Sequence, residues 1–146
     1  MCIRSRPDAC VIVRRGPPGG VLVVGLGIDI VELDRVARSL ERWGDRLVAK
    51  LMDPDEASLL PADPALRARA LALSIAAKEA ASKAIGTGWS RGVRWRDVVV
   101  TPGPPPGIRL SGEAVAAARR LGSAGRATLQ LEVRGELALG EVRLIA

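Results

Sequence analysis

Positions 21–31 form the first long apolar run, a β-branched stretch interrupted only by Gly25, Gly27 and Asp29. It predicts a buried strand in which another backbone segment comes close at the glycines. Beyond it the period changes. Leu33, Val36, Leu40, Trp43 and Leu47 recur every three or four residues, which predicts an amphipathic helix over 33–51, broken at Gly44. Beside that stripe Arg35, Arg38, Arg42 and Arg46 form a basic ridge. Asp53-Pro54 marks a turn, and Asp55-Glu56 suits the start of a short helix. Positions 64–85, mostly Ala and Leu with no internal Gly or Pro, predict a long central helix closed by Gly86. Strands are predicted at 95–101 and 108–110, across the proline-glycine turn 102–107. A helix follows over 111–121, with Ser111 as N-cap. The alternation in 128–133 and 137–145 around Arg134-Gly135 reads as a hairpin. Helices and strands mix without a regular βαβ repeat, so the class is α+β.

Length and charge refine this picture. A chain of 146 residues holds one domain with a real core. Residues 1–20 carry four arginines against one aspartate and end in Gly-Pro-Pro-Gly-Gly. Residues 1–22 therefore read as an extension, or as a start assigned too early with Val23 or Val24 as the true one, leaving 23–146 as the domain. No apolar run reaches the roughly 18–20 residues of a membrane helix, and 11–13 is too short for a secretory core. The two cysteines, Cys2 and Cys10, cannot complete a four-thiolate zinc site, and a reducing, cytoplasmic setting fits them. Histidine is absent, which excludes Ser-His-Asp and Cys-His catalysis and histidine-ligated metals.

Of the 22 basic residues only Lys50, Lys78 and Lys83 are lysine, so 19 are arginine; 16 acidic residues leave a net charge of +6. The excess suits acidic partners, or simply solubility combined with GC-rich coding. Phe and Tyr are absent, so stacking platforms for single-stranded nucleic acid are lacking and no nucleic-acid partner is expected. Gly25-Leu26-Gly27 lacks the third glycine and helix of a dinucleotide fingerprint.

Two carboxylates sit where a carboxylate is costly: Asp29 in the apolar strand and Glu79 in the most apolar helix. Two structural solutions would account for them, Asp29 capping the next helix and Glu79 paired with Lys83 at i,i+4. Alternatively the two converge as hard oxygen ligands for Mg²⁺, which takes one or two carboxylates with waters and phosphate oxygens. Lys83 would then offer a point charge to the same phosphates, and Gly86, Thr87 and Gly88 could bring backbone amides to an anion.

Gly25–Glu32 (GLGIDIVE) followed by Ala76–Gly88 (AAKEAASKAIGTG) resembles the holo-acyl-carrier-protein synthases, the small trimeric type of 4′-phosphopantetheinyl transferase. The likeness continues through Trp95–Val98, the proline-rich turn and Gly112–Ala114, covering about 23–145. It implies an antiparallel sheet packed around a long central helix. It also implies transfer of 4′-phosphopantetheine from coenzyme A to a serine of an apo acyl carrier protein, in fatty-acid, polyketide or other assembly. Asp29 and Glu79 would be the Mg²⁺ ligands, Lys83 would neutralise phosphate charge, and Glu79 would be the candidate acceptor of the serine proton. Glu32 reads as a helix N-terminal carboxylate. Arg35 and Arg46 match the carrier-docking positions, with Arg38 and Arg42 as neighbours. The resemblance further implies a homotrimer, with Asp29 and Glu79 facing each other across a subunit boundary.

The chain departs from that family twice. Ser74 stands where the family carries a phosphate-binding arginine, and Leu131 where it often carries a histidine near coenzyme A. Losing such charge-assisted contacts costs about 1–3 kcal/mol each. A relative that binds carrier protein or coenzyme A without efficient transfer is therefore the alternative to an active transferase.

Overall fold

The computed structural model describes residues 20–146 in full and the backbone of 2–6 and 9–12, where β1 (Cys2–Arg6) and β2 (Ala9–Ile12) pair antiparallel. The readings of Cys2 and Cys10 and of an alternative start concern side chains and segments outside the described residues.

A three-stranded antiparallel sheet positions the site. Its order is β3 (Val23–Glu32), β7 (Leu137–Ile145), β6 (Arg126–Arg134), with Asp29 opposite Gly140 and Gly27 opposite Val142. The long helix α4 (Pro64–Ile85) lies across it. α4 begins where the side chain of Asp63 accepts a hydrogen bond from the Leu66 N–H at 2.9 Å, and stops at Gly86 in the left-handed region, φ 80°.

The approach of α4 to the sheet depends on missing side chains. A Cβ on Gly27 would stand 1.8 Å from the Ala80 carbonyl oxygen, and one on Gly25 would stand 2.5 Å from that of Ala84. On β7, a Cβ on Gly140 would meet the Ala76 backbone at 2.7 Å. Gly25, Gly27 and Asp29 share the strand face turned to α4, because alternate residues share a face. The other face bears Leu26, Ile28 and Ile30, all more than half exposed. β3 is thus half-buried, whereas its continuous apolar run predicts burial on both sides.

The helical region breaks at Gly44 (φ 52°) into α1 (Leu33–Trp43) and α2 (Asp45–Leu51), as its glycine predicts. α3 (Pro54–Ser58) is capped by the Asp53 side chain, which accepts from the Glu56 N–H at 2.7 Å. The strand predicted at 95–101 starts three residues late. Asp97 accepts the Arg94 N–H at 2.9 Å and folds Trp95–Asp97 into a 3₁₀ turn, and only Val98–Thr101 (β4) pairs with Gly107–Leu110 (β5). α5 (Gly112–Arg120) follows Ser111, whose hydroxyl donates to the Asp97 carbonyl at 3.2 Å instead of capping the helix. The main core lies between α4, α5 and the sheet, and a second cluster joins α1, α2 and the first half of α4.

Candidate functional site

Asp29 reaches its place from β3 and Glu79 from α4. Since the glycines seat α4 directly on β3, both carboxylates line one cavity of about 420 Å³ together with Glu32, Arg35, Ser39 and Ile75. They meet within a single chain. Within one chain, the contact of α4 with β3 is what brings the two residues to the same cavity.

Lys83 lies one turn beyond Glu79, yet its ammonium crosses to the strand. Nζ donates to Asp29 Oδ1 at 2.6 Å and to the Ile28 carbonyl at 3.2 Å. The i,i+4 pairing of Glu79 with Lys83 is not formed, and Asp29 caps no helix. The N-cap of α1 is Glu32, without a side-chain cap bond. Asp29 is mostly buried while half of Lys83 stays open to solvent, so the cation is free to turn towards an anion. Among the described residues no hydrogen bond or ion pair engages the half-buried Glu79 carboxylate.

This donor set fits a hard divalent cation. Two carboxylates share a cavity, one without a partner among the described residues and the other paired with a single half-exposed cation. No group of three His, Cys, Asp or Glu that could hold a metal occurs among the described residues. Two such groups would leave the remaining positions of a bound ion to water and substrate oxygens, the coordination Mg²⁺ favours.

The other predicted residues lie around this centre. Gly86 and Gly88 (φ 80° and 59°) turn the chain after α4, with open space where side chains would stand, and Thr87 Oγ1 donates to the Gly88 carbonyl at 3.1 Å. Arg35, Arg38 and Arg42 line one shallow surface pocket beside Trp43, and the Arg42 guanidinium stacks 4.9 Å over that ring. Arg38 also pairs with Asp34. Arg46 falls beyond the break at Gly44, on α2, and does not line this pocket.

Ser74 and Leu131, the two departures, line a separate and mainly apolar cavity of about 170 Å³. Ser74 is buried, and its hydroxyl donates to Glu56 Oε1 at 3.2 Å. The same carboxylate accepts the Val100 N–H at 3.1 Å and, through Oε2, the Lys78 ammonium at 2.8 Å. Lys78 is fully buried and donates as well to the carbonyls of Trp95, at 3.1 Å, and Val98. Burial pushes the Lys78 ammonium below its ordinary value, and its hydrogen bond and charge pairing with Glu56 oppose that shift. The sequence reading passes over this cluster, although the argument that singles out Glu79, a charge in the most apolar helix, applies equally to its neighbour Lys78.

The pattern of the 4′-phosphopantetheinyl transferase superfamily matches residues 25–133. A holo-[acyl-carrier-protein] synthase of Acidithiobacillus ferrooxidans is 39% identical over 125 residues, 84% of this chain and 97% of that protein. One from Solidesulfovibrio magneticus is 42% identical over 104 residues, 70% of this chain and 82% of its own. Among solved structures, a holo-(acyl-carrier-protein) synthase from Bacillus anthracis in complex with CoA (3′,5′-ADP) superposes with a TM-score of 0.65. It is 27% identical, and the match covers 87% of this chain and 99% of that one.

Proposed function

The chain belongs to the 4′-phosphopantetheinyl transferase superfamily, and on that premise we propose that its chemistry is carried by Asp29, Glu79 and Lys83 in the cavity between β3 and α4. The enzyme transfers phosphopantetheine from coenzyme A to apo acyl carrier protein, releasing adenosine 3′,5′-bisphosphate. The observation that carries the site assignment is the convergence of Asp29 and Glu79 on one cavity, with Lys83 bonded to Asp29.

Phosphoryl transfer depends on positioning and charge neutralisation more than on covalent work by the protein. Asp29 and Glu79 would hold Mg²⁺, which when bound supplies Lewis-acid neutralisation of the pyrophosphate. Lys83, released from Asp29, turns its ammonium to the phosphates, and the Gly86-Thr87-Gly88 turn offers backbone amides at the same end of α4. The carrier serine oxygen bonds to the β-phosphorus, and the bond from that phosphorus to the bridging oxygen breaks. Glu79, free of other partners among the described residues, accepts the serine proton, and the bridging oxygen leaves with the nucleotide. Residues 23–146 act as the transferase domain, with 1–22 as an extension, in the cytoplasm.

Carrier docking falls to the arginines on and beyond α1. Arg35 lines both the cavity and the outer pocket, so it is placed to guide the carrier serine inward. Arg42 lines only the outer pocket and therefore separates docking from chemistry. Arg42→Glu should raise the carrier KM about tenfold, ~1.4 kcal/mol, and flatten its dependence on salt. A carrier KM unchanged at low salt would exclude this surface.

The uncovered stripe of Leu26, Ile28 and Ile30 supports a contact between chains, as assembly into a homotrimer requires, since exposed apolar patches mark such contacts. Leu26→Asp should reduce the mass seen by sedimentation to that of a single chain at micromolar concentration. Wild-type sedimentation of that variant would remove β3 from the interface.

Incubation with apo carrier protein, coenzyme A and Mg²⁺, followed by the intact mass of the carrier, tests the reading as a whole. Addition of one phosphopantetheine group is expected. Retained carrier binding with no mass increase would mark the non-transferring relative instead.

A further inference from the structure

α4 meets the sheet through near-identical contacts one turn apart. Ala76 faces Gly140, Ala80 faces Gly27 and Ala84 faces Gly25, so the helix offers an alanine every fourth residue to a row of glycines. Packing of this kind fixes how closely the helix approaches but discriminates poorly along its axis, because a slide by one turn replaces alanine with alanine. Such a slide, about 5.4 Å, would carry Glu79 away from Asp29. In one direction it would bring the apolar Ile75 to the level Glu79 now holds. In the other it would bring Lys83, already the hydrogen-bond partner of Asp29, to that level, and neither side chain can replace the Glu79 carboxylate there.

The flank of α4 that carries Ser74 and Lys78 breaks this degeneracy. These two residues lie one turn apart and both bond to the Glu56 carboxylate of α3, which also accepts the Val100 N–H of β4. Lys78 spends its remaining donors on the Trp95 and Val98 carbonyls. A one-turn slide in one direction would pull Lys78 away from Glu56. In the other, Lys78 would take the place of Ser74 beside Glu56 but give up the Trp95 and Val98 carbonyls. Either loss at a fully desolvated ammonium is a far larger penalty than exchanging one alanine for another.

We propose that the Glu56–Lys78–Ser74 cluster is a positioning device that sets the axial register of α4 and so holds Glu79 level with Asp29. Buried ionic groups are well suited to choosing one register among several of similar packing energy. The inference rests on the Asp29 and Glu79 site, and its test keeps the two apart.

The test replaces the ion pair with apolar side chains of similar size, Glu56→Leu with Lys78→Met, which need not destabilise the fold. With circular dichroism and melting temperature showing a folded protein, kcat should fall about 10- to 100-fold, as displacements near 1 Å do. The concentration of Mn²⁺ needed for half-maximal binding, read by electron paramagnetic resonance without turnover, should rise with it. Ser74→Ala, which leaves the ion pair in place, should shift both in the same direction by a smaller factor. Wild-type kcat and metal affinity in the folded double variant would overturn the proposal, as would wild-type values in Ser74→Ala should the double variant not fold. Glu79→Gln serves as the separate control: undiminished Mn²⁺ binding there would refute the site and not the register.

Discussion

Glu79→Gln is expected to slow transfer by about 10²–10³-fold, ~3–4 kcal/mol of transition-state stabilisation, while the melting temperature stays near that of the wild type. Glutamine keeps the shape of the side chain but removes the charge that binds the cation and the basicity that takes the serine proton. Among the described residues Glu79 has no structural partner, so little folding energy is lost with the charge. Single-turnover modification of the carrier, followed by mass spectrometry, gives the rate. A rate within a few fold of wild type would move the chemistry away from this cavity.

Gly27→Ala should damage the same site from behind. The added methyl would meet the Ala80 carbonyl oxygen at 1.8 Å and the Ala84 nitrogen at 2.7 Å, both backbone atoms of α4. Neither can rotate aside, so the helix must lift from β3 and take Glu79 and Lys83 away from Asp29. Overpacking of this severity costs about 3 kcal/mol or more, and urea denaturation should show it as a lower midpoint with an unchanged slope. Gly86→Ala makes the contrast. Nothing lies within 4 Å of its Cβ, and only the left-handed backbone resists, a cost of about 1 kcal/mol. Similar losses in the two variants would mean that the close seat of α4 on β3 is not what holds the site together.

Much of this arrangement was legible in the residue pattern, for reasons that are local. Gly25 and Gly27 in an apolar run announce a close backbone approach, Gly44 breaks the first helical region, and Pro64 and Gly86 bracket α4. What escaped is set by distant partners. Lys83 lies at the spacing that pairs with Glu79, but Asp29, 54 positions away, takes it at 2.6 Å. The Glu56–Lys78 pair spans 22 positions, and no periodicity signals it. The run 21–31 has no polar alternation to mark a solvent-facing side, so the exposure of Leu26, Ile28 and Ile30 emerges only once one face of β3 is covered by α4. The 3₁₀ turn at Trp95–Asp97 depends on one side-chain bond, from the Arg94 N–H to Asp97, that overrides the β-branched run following it.

The assignment turns on Asp29 and Glu79 together holding one divalent ion for the phosphates of coenzyme A. Electron paramagnetic resonance of Mn²⁺ titrated into the protein with coenzyme A tests it without reference to turnover. One bound ion per chain is expected in the wild type, lost in both Asp29→Asn and Glu79→Gln. Binding of the same strength in either variant would refute the shared site.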